Sequence, residues 1–163
     1  MSVSQPETPL KYKLLFVCKG NICRSPLASF TLEKLSQKHS GKFQLIITSG
    51  GTENYNIGKK AHPLSERVGQ ENGVDLSSHI ARQIQQFDVQ DADIIIVMDD
   101  ENRQRVLDLF GDEISPKIHL LMSFSQSKNA DIPDPYKMPY SRYQQTYKMI
   151  REGCLGLIDE LLP

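Results

Sequence analysis

Four short apolar runs punctuate the chain, at 13–17 (KLLFV), 43–48 (FQLIIT), 93–98 (DIIIVM) and 117–121 (KIHLL). Their length and branched content predict strands buried on both faces, the pattern of a parallel sheet. Between them, apolar positions recur in steps of three and four. Ala28, Leu32, Leu35 and His39 do so after Ser25 and Pro26, which read as a capping residue and a first-turn proline. Residues 63–69 follow the second run, and 100–110 follow the third and close at Gly111, a C-cap glycine. The clearest stripe is the last, Tyr143, Tyr147, Ile150, Cys154, Leu157 and Leu161. Strands alternating with helices of this length predict βαβ units with right-handed crossovers and a sheet covered by helices on both faces.

Residues 1–10 are polar, contain Pro6 and Pro9, and read as a loose leader, which leaves 11–163 as one domain. The one long irregular stretch is 122–139, with IPDPY at 132–136. A loop of that length inside a compact domain is either disordered or functional. Ligands of such sheets sit beyond the carboxyl ends of the strands, so the loop belongs on the edge where the segment after the first strand emerges. A formal net charge of -1 gives no support to nucleic-acid binding. No stretch approaches the roughly 20 apolar residues needed to cross a bilayer, and the first eleven residues lack the apolar centre of a signal peptide. These features predict a cytoplasmic protein without membrane insertion. An odd count of three cysteines argues against a secreted disulfide framework.

The candidate chemistry lies at 17–26, VCKGNICRSP. Two cysteines this close to a glycine, an asparagine and an arginine allow three readings: a metal-binding turn, a redox pair, or a cradle around one reactive thiolate. His39, His62 and His119 show no ligand spacing with the cysteines, which weakens the metal reading. If residues 19–23 curl between a strand and a helix, their amides point inward, the helix adds its positive N-terminal end, and Arg24 offers a planar two-pronged donor. Together these favour a tetrahedral dianion such as phosphate. The same donors stabilise the thiolate form of Cys18, the form that attacks. Gly20 lets the backbone approach the ligand, Asn21 tolerates a left-handed backbone, and Ser25 can donate a hydroxyl hydrogen bond to sulfur.

With DPY at 134–136, the ten-residue motif resembles the low-molecular-weight protein tyrosine phosphatase family. The likeness runs across nearly the whole chain and includes NYNIG at 54–58, SSHIARQI at 77–84 and IVMDDEN at 96–102. It implies a three-layer α/β sandwich whose four-stranded parallel sheet has the order 2-1-3-4, with helices on both faces. It also implies hydrolysis of protein phosphotyrosine in two steps, with Cys18 as the nucleophile that forms a phosphocysteine and Arg24 as the phosphate clamp. Asp134 would be the general acid and then the general base. Lys19, Gly20, Asn21, Ile22, Cys23 and Ser25 match the phosphate loop, with His79 supporting it from below. Tyr55 and Tyr136 match the pocket walls. Cys23 matches a neighbour that can form a reversible disulfide with the nucleophile. Neither metal nor other cofactor is required. The implied partners are phosphotyrosine-containing proteins, with tyrosine kinases among the candidates.

Position 137, often a second aromatic in the family, is Lys137, which shifts the rim toward positive charge and predicts a preference for acidic residues beside the phosphotyrosine. Two other functions compete. Arsenate reductases share this fold and loop but need a further pair of cysteines near the middle of the chain, and none lies between Cys23 and Cys154. A non-catalytic phosphate or phosphopeptide module is disfavoured by Cys18, Arg24 and Asp134 occurring together. Outside the motif, Asp99 and Asn102 read as helix caps and Cys154 as core.

Overall fold

The computed structural model describes residues 10–128 and 130–163. The expected leader falls outside them apart from Leu10, which opens the first strand. Among the described residues the sheet has four strands: β1 (Leu10–Cys18), β2 (Phe43–Gly51), β3 (Ile94–Val97) and β4 (Ile118–Leu120). All are parallel, in the order β2-β1-β3-β4. Leu14 lies opposite both Ile47 and Ile94, so β1 is central and its carboxyl end emerges between two neighbours.

The alternation of side chains along a strand divides the core in two. Leu14, Phe16, Ile96 and Met98 face one layer, where they pack with α1 (Arg24–Ser36), α2 (Pro63–Glu71) and α5 (Tyr140–Leu161). Leu15, Val17, Ile95 and Val97 face the other, packed by Val89 of α3 (Gln86–Asp91) and Val106 of α4 (Asp100–Phe110). The result is the expected three-layer α/β sandwich. Full burial on both faces holds for the end of β1 and for β3. It fails for β2, an edge strand where half-buried and exposed positions alternate between Phe43 and Gly50.

Helix α4 starts and ends where its caps predict, with Asp99 Oδ1 accepting from the Asn102 amide at 2.7 Å and Gly111 at φ 95°. The six-residue α3 is mostly polar and left no periodic signal; the Asp88 carboxylate closes its first turn by accepting from the Gln85 amide at 2.7 Å. Every residue of the predicted α5 stripe is buried. At Gly156 the helix runs so close to the turn at 121–124 that a Cβ would meet the Phe124 carbonyl, so a glycine is needed there. That close seat positions the start of the long loop. Ile132, fully buried, donates its amide to the Met98 carbonyl at 2.9 Å and pins the loop beyond the end of β3. The chain at Ile132 is therefore fixed at the sheet edge two residues before Asp134.

Candidate active site

Cys18 is the last residue of β1, buried at the carboxyl edge of the sheet. From there residues 19–23 turn into α1. The turn depends on Asn21, whose φ of 57° lies in the left-handed region that asparagine tolerates better than most residues. Its side chain is fully buried and fully used: Nδ2 donates to Ser25 Oγ (2.8 Å) and Ser49 Oγ (3.0 Å), and Oδ1 accepts from the Arg82 amide (3.0 Å). Below it, His79 Nε2 lies 2.7 Å from the Asn21 carbonyl. A carbonyl only accepts, so Nε2 carries the proton; burial lowers the His79 pKa, and the Asn21 bond partly offsets this. Gly20 is close to a neighbour as well as to the pocket. A Cβ there would stand 2.6 Å from Asn56 Nδ2, which donates to the Gly20 carbonyl at 3.2 Å.

Ser25 does not cap the helix as its position next to Pro26 predicts. The helix begins at Arg24, and the Ser25 hydroxyl lies 2.9 Å from Cys18 Sγ instead. Because Ser25 Oγ accepts from Asn21, its proton is free to point at the sulfur. The Asn21 amide also donates to Sγ, at 3.3 Å. No side chain caps α1, and among the described residues the amides of Gly20, Ile22 and Cys23 have no acceptor. Unpartnered amides around a helix N-terminus form an anion cradle.

Arg24 is buried with its guanidinium fixed. Nη1 donates to Asp99 Oδ2 (2.6 Å) and to the Ile132 carbonyl (2.9 Å), leaving Nε and Nη2 as prongs for a ligand. Burial pulls the Arg24 pKa down, but the charges of Cys18, Asp99 and Asp134 more than compensate, and it titrates above its ordinary range. Capping alone therefore does not explain Asp99, because one oxygen caps α4 while the other holds Arg24. Asp99 lies just past the end of β3, and the pairing of β3 with β1 brings it to Arg24.

The structure brings the other expected residues to the same edge. A pocket of about 270 Å³ has Cys18 and Arg24 among its lining, with Tyr55, Asp134 and Tyr136 around it. Lys19, Ile22 and Cys23 also line it, and Lys19 is exposed beside Tyr55. Tyr55 and Tyr136 line the pocket while 55% and 50% exposed. Asp134 Oδ2 stands 3.7 Å from Arg24 Nη2, and Oδ1 accepts from the Tyr136 amide at 3.1 Å. Lys137 takes a left-handed backbone (φ 64°) with Nζ 5.8 Å from the Tyr136 ring centre. All three cysteines are free. The Cys23 thiol is pushed up to about 12, chiefly by burial, and its Sγ lies 3.7 Å from Tyr143 Oη. Cys154 is fully buried beneath α1, far from any role at the pocket. Among the described residues no group of three or more His, Cys, Asp or Glu is arranged to hold a metal. No helix among them is long and apolar enough to cross a membrane.

A thiol, a guanidinium and a carboxylate lining one pocket beside unpartnered amides are groups suited to phosphoryl transfer. Chemistry of this kind defines the cysteine-based phosphatases. Comparison with known proteins carries the assignment further. The family model described as low molecular weight phosphotyrosine protein phosphatase matches residues 13–162. Among curated relatives, the low molecular weight protein-tyrosine-phosphatase YfkJ of Bacillus subtilis is 31% identical over 149 residues, covering 91% of this chain and 94% of its own. The low molecular weight phosphotyrosine protein phosphatase of Sus scrofa is 31% identical over 151 residues, covering 91% and 94%. The crystal structure of a protein tyrosine phosphatase from Entamoeba histolytica, with Hepes in its active site, superimposes with a TM-score of 0.85 at 33% identity, covering 92% of this chain and 96% of its own. The chain belongs to the low-molecular-weight protein tyrosine phosphatase family and is a hydrolase of protein phosphotyrosine.

Proposed function

We propose that Cys18 attacks the phosphorus of a phosphotyrosine in line, forming a phosphocysteine, while Nε and Nη2 of Arg24 and the loop amides hold the equatorial oxygens. Asp134 gives a proton to the departing phenolate and then takes one from the water that hydrolyses the phosphocysteine. Ser25, donating to Sγ, eases departure of the thiolate in this second step. The observation that carries this reading is the fixed guanidinium of Arg24: with Nη1 held by Asp99, its free edge joins the uncapped start of α1 on the side where Cys18 and Asp134 lie.

Tyr55 and Tyr136 flank the phenol ring, and a slot between rings favours phosphotyrosine over phosphoserine. Lys19 in the pocket lining and Lys137 beside the Tyr136 ring, both exposed, favour acidic residues beside the phosphotyrosine. Tyrosine kinases are among the phosphotyrosine proteins this site would serve, and the place of action is the cytoplasm, where free thiols stay reduced. The test is turnover of phosphotyrosine peptides with acidic and with basic flanks, a phosphoserine peptide and arsenate. Fast, metal-independent release of phosphate from the acidic phosphotyrosine peptide is expected. Faster phosphoserine hydrolysis, or arsenate reduction, refutes the reading.

Cys23, held as a thiol by burial, leaves nucleophilic attack to Cys18. Its proposed task is protective: peroxide oxidises Cys18 to a sulfenic acid, and the Cys23 thiol condenses with it to a disulfide, releasing water. Mass spectrometry after mild peroxide treatment should show the 18–23 linkage. Overoxidised Cys18 without that linkage rules the role out.

A further inference from the structure

His62 lies where three parts of the site meet. Its amide donates to the Ile22 carbonyl at 2.8 Å, which ties it to the phosphate loop. Its Nδ1 accepts from the Leu64 amide at 3.1 Å and its carbonyl from the Glu66 amide at 3.0 Å, so the same residue caps α2. The imidazole is stacked on Tyr143, with ring centres 5.3 Å apart and planes at 24°. On the pocket side it meets Tyr136 edge to face, at 6.0 Å and 89°.

The two tyrosines differ in how firmly they are held. Tyr143 is fully buried in α5, whereas Tyr136 is half exposed on a segment without regular structure. The imidazole therefore links a fixed ring to a half-exposed one, whose amide is held by Asp134 Oδ1 and whose ring centre lies 5.8 Å from Lys137 Nζ. With Nδ1 accepting, the neutral ring carries its proton on Nε2. Burial lowers the His62 pKa, which keeps it in this neutral form near pH 7.

We propose that His62 is a positioning residue of the phenol slot: backed by Tyr143 and anchored by three hydrogen bonds, its ring holds Tyr136 at the spacing that accepts a flat aryl group. It sets selectivity for aryl phosphates without touching the phosphate. This rests on the reading of the pocket as a phosphotyrosine site. From sequence, His62 shows only that it lacks metal-ligand spacing with the cysteines, and its place between two tyrosines distant in sequence appears only in the fold.

Cap and ring can be separated by two substitutions. His62→Asn keeps a side-chain oxygen that caps α2 but removes the ring, and His62→Phe keeps a ring but removes the cap. The measurement is calorimetric binding of phenylphosphonate and of inorganic phosphate to the purified protein, with Tm recorded for each variant. In His62→Asn, phenylphosphonate affinity is expected to fall roughly 3- to 10-fold, the scale of one aromatic contact, with phosphate affinity within about twofold of the parent. In His62→Phe, phenylphosphonate affinity is expected to stay within about twofold while Tm falls. Equal loss for both ligands in His62→Asn, or no loss for either, overturns the proposal. So does His62→Phe losing phenylphosphonate as severely as His62→Asn. If the parent protein binds neither ligand, the phosphatase reading fails and the positioning role falls with it.

Discussion

Cys18→Ser is expected to lower hydrolysis of an aryl phosphate by a factor on the order of 10⁴ to 10⁶, leaving a folded protein. A serine hydroxyl fits the space, but the donors around Cys18 are arranged for a large, polarisable anion. The Asn21 amide lies 3.3 Å from Sγ and the Ser25 hydroxyl 2.9 Å away. A hydroxyl is a far weaker acid than a thiol, and among the described residues the hydrogen bonds of Cys18 reach no base that could activate a serine. The measurement is kcat with p-nitrophenyl phosphate in the presence of a metal chelator, with vanadate as inhibitor of the parent protein and Tm as the control for folding. Substantial activity in the variant, or a parent protein that needs added metal, removes the phosphocysteine mechanism.

Asp134→Ala should cost about 2 to 4 kcal/mol in the transition state for a poor leaving group, roughly 30- to 1,000-fold in kcat/KM, and much less for a good one. The asymmetry follows from the chemistry, because p-nitrophenolate departs without a proton and unsubstituted phenolate does not. It is also local. Arg24 keeps its bonds to Asp99 and to the Ile132 carbonyl when the 3.7 Å pair with Asp134 is lost, so phosphate binding should survive the substitution. Comparing phenyl phosphate with p-nitrophenyl phosphate is the check. An equal loss for both esters removes Asp134 from the acid role.

Particular residues show how much was legible in the chain. Strands β1 and β3 were readable because strands buried on both faces form unbroken apolar runs, and α4 because both of its caps are local. The α5 stripe was readable because one face of a long helix is buried along its whole length. Helix α3 escaped because six mostly polar residues cannot show a period. The burial of β2 was overstated because edge or centre is a property of strand order, and an apolar run does not reveal its neighbours. For Ser25 the bond to sulfur was legible because the motif places it beside Cys18, but its reading as a cap failed: the helix starts one residue earlier, and Asn21 reaches the hydroxyl across a folded loop.

Taken by itself, the sequence determined the α/β class, the cradle at 17–26 and, through the family's motif, the pairing of that cradle with Asp134. Each of these rests on residues close together in the chain or on a pattern long enough to be specific. Only the tertiary structure decided that Asp99 holds Arg24, that Ile132 pins the loop carrying Asp134, and that His62 stands between Tyr136 and Tyr143. Those contacts join residues 34 to 108 positions apart, and nothing local requires them. They arise because parallel strands deliver all their carboxyl ends to one edge, where segments remote in sequence must meet.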